Sequence, residues 1–105
     1  MSSVAAAFRV SSGRLPRSVL VIPPRAIIED ELRALRLEEY LQAEFPRLTI
    51  VMAEENVLPG NQSAVGVLPD ADGSSPFDPV ETQRVMDDVS AAMAAFVDYR
   101  RRWVN

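Results

Sequence analysis

Residues Ser18–Ala53 read SVLVIPPRAIIEDELRALRLEEYLQAEFPRLTIVMA. Ser18–Ile22 is a continuous apolar, largely β-branched run stopped by Pro23 and Pro24. A short apolar run bounded by breakers reads as a buried strand. From Arg25 to Phe45 there is neither Gly nor Pro, and strong helix formers dominate. Pro24 stands where a first-turn proline belongs. Glu29, Asp30 and Glu31 follow in the early turns, where the helix dipole favours negative charge. Pro46 ends the helix, and Leu48–Ala53 begins a second strand. Strand, helix and strand in this order form a crossover unit, and such units are right-handed.

Working outward, Ser63–Leu68 (SAVGVL) is a third strand, weakened by Gly66, and Pro79–Trp103 is a long helix. Its apolar stripe runs through Val85, Val89, Ala92, Phe96, Tyr99 and Trp103, with Arg100–Arg102 at the end that suits the dipole. Residues 1–12 contain Val4–Val10, an edge strand or a loose tail. The expectation is a single α+β domain over residues 1–105. It is a two-layer sandwich, (β)βαββα, with a three- to four-stranded mixed sheet and two helices on one face. Strands Leu48–Ala53 and Ser63–Leu68 are expected to run antiparallel. With Val4–Val10 as a strand, the order matches a permuted ferredoxin-like topology, in which Ser18–Ile22 and Ser63–Leu68 sit centrally.

The Arg25–Phe45 segment carries two apolar stripes. Ile28, Leu32 and Leu35 form one; Ile27, Ala34, Leu37, Leu41 and Phe45 form the other. A helix covering one sheet needs a single stripe. Two stripes imply a second buried surface or a break near Arg36. The second stripe, Ile27, Ala34, Leu37, Leu41 and Phe45, is therefore the candidate interface for a homo-oligomer or a protein partner.

Composition narrows the chemistry. The 105 residues contain no Cys and no His, and all eleven basic residues are Arg. The commonest general base, thiolate chemistry, Schiff-base lysines and the Walker-type phosphate loop are all missing. Catalysis would have to rest on carboxylates, Ser, Tyr or a carboxylate-bound metal, and Glu54 and Glu55, adjacent on a strand end, point to opposite faces. The sequence leans away from an enzyme and calls for no cofactor. A net charge of −4 disfavours nucleic acid. No apolar run is long enough for a membrane span, and the N-terminus lacks the pattern of a secretory signal, so the default expectation is a cytoplasmic protein.

Two polar sites are candidates. The expected topology gathers Arg25, Glu54, Asn56, Asn61 and Ser63 at one end of the sheet, around the nine-residue loop Glu54–Gln62. Long loops often carry function, and this one is a candidate for a small molecule or ion. The second is DADGSSPFDPVE, Asp70–Glu81, which resembles the calcium loop of the EF-hand family. On that resemblance Asp70, Asp72, Ser74, Asp78 and Glu81 would supply side-chain oxygens. The sequence departs from that pattern at the sixth place, where Ser75 replaces the required Gly, and Pro76 and Pro79 restrict the wrapping backbone. Helix capping accounts for Asp78-Pro79-Val80-Glu81 with less: an N-cap, a first-turn proline and a reciprocal glutamate. No family resemblance spans the chain. The expected function is non-enzymatic, through homo-oligomerisation or a protein partner, with ligand binding at the 54–63 loop as the alternative.

Overall fold

The computed structural model describes residues 14–69 and 77–104, and of 98–104 the backbone alone. Strand β1 is Ser18–Ile22, helix α1 Arg25–Ile28, helix α2 Glu31–Glu44, strand β2 Thr49–Met52, strand β3 Ala64–Leu68 and helix α3 Pro79–Val104. The fold is α+β, as expected, with a three-stranded mixed sheet. Val4–Val10, Asp70, Asp72 and Ser74 lie outside the described residues.

The sheet order is β2-β1-β3. β1 pairs in parallel with β2, Ser18 opposite Thr49 and Val21 opposite Met52. On its other side β1 pairs antiparallel with β3, Ser18 opposite Leu68 and Ile22 opposite Ala64. This corrects the expected ferredoxin-like order, in which Ser63–Leu68 would lie between the other two strands. β2 and β3 do run in opposite directions, but they do not touch, because the most apolar strand takes the centre. β1 alternates buried and half-buried residues, with Val19 and Val21 wholly inaccessible.

Val19 and Val21 face both long helices. They form one core with Ile50 of β2, Leu48 before it, Ile27 of α1, Leu37 and Leu41 of α2, and Val89 and Met93 of α3. Tyr40 and Phe96 close the seam between α2 and α3, their ring centroids 5.5 Å apart and tilted by 39°. Such a tilted pair adds about 1 kcal/mol beyond the area it buries. The opposite face of the sheet carries Leu20 and Ile22, both half-buried, and the exposed Val51.

The segment Arg25–Phe45 is not one rod. It breaks at Glu29–Asp30, well before Arg36. The Glu29 and Asp30 N–H groups close α1 on the carbonyls of Arg25 and Ile27, at 2.9 and 3.0 Å. Asp30 then turns extended, with φ −119°, and its carboxylate accepts the Arg33 N–H at 3.2 Å. Asp30 is thus the N-cap of a second helix rather than an early-turn acid of the first. The break lets Ile27 reach the same core as Leu37 and Leu41.

The assignment of the two stripes is accordingly reversed. Ile27, Leu37 and Leu41 are at most 1 % exposed, and Ala34 and Phe45 pack against the same core. Of the residues expected at an interface, Ile27, Leu37 and Leu41 are interior, covered by the sheet and α3, and Ala34 and Phe45 are half-buried beside them. The outward stripe is the other one: Leu32 is 57 % and Leu35 52 % exposed.

Candidate functional site

The connection between β2 and β3 holds the first candidate site, and its length follows from the strand order. A β2–β3 hairpin would need only a few residues. Here the chain must pass over the end of β1, because β2 and β3 lie on its two sides, about 10 Å apart at ordinary strand spacing. Residues 53–63 make that crossing.

Asn56 holds the crossing in place. Its Nδ2 donates to the carbonyls of Pro23 and Gln62, each at 2.7 Å, and its Oδ1 accepts the Leu58 N–H at 2.8 Å. One amide therefore ties the loop to the end of β1, to its own far limb and to its own apex. Arg25, opening α1, completes the latch: its Nε donates to the Asn56 carbonyl at 3.0 Å and its Nη2 to the Leu58 carbonyl at 2.5 Å. At the loop's apex Gly60 has φ +61°, a left-handed conformation that suits glycine.

The structure thus brings Arg25 and Asn56 together at the expected end of the sheet, and both bond to backbone carbonyls. Glu54, Asn61 and Ser63 are exposed nearby. The Asn56 amide has both N–H groups committed to main-chain carbonyls, and the Arg25 guanidinium two of its five. The cluster works as a fastening for the loop.

The second candidate is only partly within the described residues. Asp78 is 5 % exposed, and its Oδ1 accepts the Val80 N–H at 3.0 Å, so it caps α3. Glu81 does not return the bond expected of a capping box. The Asp78 N–H is already donated to the Arg14 carbonyl at 3.0 Å, and Glu81 instead lies 3.5 Å from the Arg84 guanidinium. Among the described residues no group of three or more acidic side chains is placed to hold a metal ion.

A third feature was not foreseen from sequence. A groove of about 650 Å³ runs between α1–α2 and the outer edge of β2. Ile28, Ala34 and Leu35 form its helical wall, and residues 50–54 form its strand wall. Glu31 and Glu38 stand along one rim and Glu54 at the end, with no cationic side chain among the lining residues. Glu31, Leu35, Glu38 and Gln42 recur at intervals of four, three and four along α2, which is one helix face. That periodicity was legible, but only the strand order reveals that this face lies along a sheet edge.

Gln42 closes one end of this arrangement. Its Nε2 donates to the Leu48 carbonyl at 2.6 Å and to the Phe45 carbonyl at 3.3 Å, and its Oε1 accepts the Ile50 N–H at 3.3 Å. The donor and acceptor of one side-chain amide meet the edge of β2 much as the peptide of a neighbouring strand would. Among the described residues no helix is long and apolar enough to cross a membrane. No protein-family model, curated protein or solved structure matches the chain.

Proposed function

We propose that this protein is non-enzymatic and acts by protein contact, through homo-oligomerisation or a partner chain, using the outer side of α2 and the neighbouring edge of β2. The observation that carries the proposal is the outward stripe itself. Leu32, Leu35 and Val51 are 57 %, 52 % and 39 % exposed, and Leu35 and Val51 line the same groove. Single exposed apolar residues are ordinary, whereas a group of them around a concave surface marks an interaction site. Composition points the same way, since His, Cys and Lys are all missing. The ligand-binding alternative at the 54–63 loop has less behind it, because Arg25 and Asn56 are engaged in holding that loop.

Light scattering across a dilution series tests self-assembly. The expected outcome is a dimer or larger species that Leu32→Glu converts to a folded monomer, since Leu32 lies outside the core. A wild-type chain that stays monomeric at every concentration overturns self-assembly and leaves contact with a different chain as the form of the proposal.

A further inference from the structure

We infer that the groove beside β2 receives an extended peptide from a partner protein, added as a strand to the outer edge of β2, with alternating apolar side chains flanked by Arg or Lys. The inference rests on the protein-contact reading above and names the partner's chemistry.

Three observations carry it. First, among the described residues β2 is an edge strand, and its outward backbone groups can be identified. The N–H groups of Thr49 and Ala53 turn inward, to the carbonyls of Arg17 and Val21, both at 2.8 Å. Strand alternation then turns the Ile50 and Met52 N–H groups outward. Gln42 takes the Ile50 N–H and the Leu48 carbonyl. The Met52 end of the edge lies along the groove, and no side chain among the described residues substitutes for a strand there.

Second, the groove has the construction that strand addition uses. Consecutive residues from Ile50 of β2 to Ala53 just past its end all line it, as residues of both alternating sets do only when a groove follows the strand edge. Main-chain bonds to such an edge supply affinity, and apolar recesses beside it select alternate side chains of the peptide. Ile28, Ala34 and Leu35 provide the apolar wall.

Third, charge selects among occupants. Glu31, Glu38 and Glu54 surround the groove with no cation among its lining residues. A second copy placed across a twofold axis on this groove would bring two such acidic rims together, in a chain already at net charge −4. A basic-flanked segment meets the same rim with opposite charge.

The test is selection of random linear peptides, displayed on phage, against the full chain, followed by measurement on the enriched peptides made synthetically. The expected sequences alternate apolar and polar residues and carry Arg or Lys at their flanks. Bound peptide shifts the backbone amide resonances of residues 50–54. Glu38→Lys and Glu54→Lys, neither of them in the core, each weaken binding by about two- to fivefold, the range for exposed charge pairs. Met52→Pro removes an N–H that β1 does not use and weakens binding by about tenfold or more. Its melting curve reports whether it is folded, and the two charge reversals keep the inference falsifiable if it is not.

Failure to enrich any peptide overturns the inference. So does enrichment of peptides without basic flanks, binding indifferent to both reversals, or a folded Met52→Pro that binds as the wild type does. The two proposals separate cleanly. A chain that dimerises but selects no peptide keeps the protein-contact reading and loses this one, and a monomer that selects such peptides loses self-assembly alone and keeps contact with a different chain.

Discussion

Replacing Asn56 with Ala removes one side chain and three hydrogen bonds at once. The lost bonds are those to the Pro23 and Gln62 carbonyls, at 2.7 Å, and that from the Leu58 N–H, at 2.8 Å. A net value of about 1 kcal/mol per bond gives a loss of roughly 2–3 kcal/mol, since the site is only partly buried and water satisfies some of what is freed. For a domain of this size a loss of about 2 kcal/mol lowers Tm by roughly 10 °C. Asn56→Asp is the sharper variant. It keeps an acceptor for the Leu58 N–H but sets an anionic oxygen where Nδ2 met two carbonyls. It should therefore be no more stable than Asn56→Ala, although it is nearly isosteric with Asn. Urea titrations followed by circular dichroism give both values, with an unchanged m-value as the check that the unfolding reaction is the same. The reasoning is refuted if Asn56→Ala falls within about 0.5 kcal/mol of wild type, the range of an unremarkable surface change, or if Asn56→Asp equals wild type.

Leu37→Ala, at a wholly buried position, should cost about 2–5 kcal/mol, whereas Leu32→Ala should move the stability of the monomer by less than about 0.5 kcal/mol, and thermal melts of the pair decide which stripe is interior. Gly60→Ala should cost about 1 kcal/mol by denaturant titration, entirely through its backbone at φ +61°, because an added Cβ there would meet nothing within 4 Å. Asp78→Ala should cost about 1 kcal/mol while Asp78→Asn costs much less, since an amide oxygen can still accept the Val80 N–H.

Much of the fold could be read directly from residues. Pro23 and Pro69 directly follow the last residues of β1 and β3, and Pro46 stands two residues past the end of α2, because proline cannot continue a ladder or a helix. Strand order was less accessible. Whether Ser63–Leu68 returns beside β2 or crosses to the far side of β1 depends on long-range pairing, and a loop of turn residues suits either. The break at Asp30 did have a local signal, an Asp three residues before the Arg33 amide it caps. Three consecutive acids also suit a helix's first turn, and that reading hid the cap. The two stripes were visible in the sequence, but not which one faces inward, since that depends on where the sheet lies. Arg25 and Asn56 were rightly grouped by topology, yet their bonds to main-chain carbonyls leave no trace in residue type. The Gln42 contact with the β2 edge was illegible for the same reason.

The central place of β1 also bears on synthesis. Its partners lie some thirty residues downstream in β2 and some forty-five downstream in β3. A ribosome-bound chain can assemble β1, α2 and β2 as soon as Met52 emerges. Until Leu68 follows, one whole flank of the most apolar strand stays bare, a template for pairing with neighbouring nascent chains. Pausing translation between those two points should therefore raise the yield of aggregate above that of a pause just after Leu68.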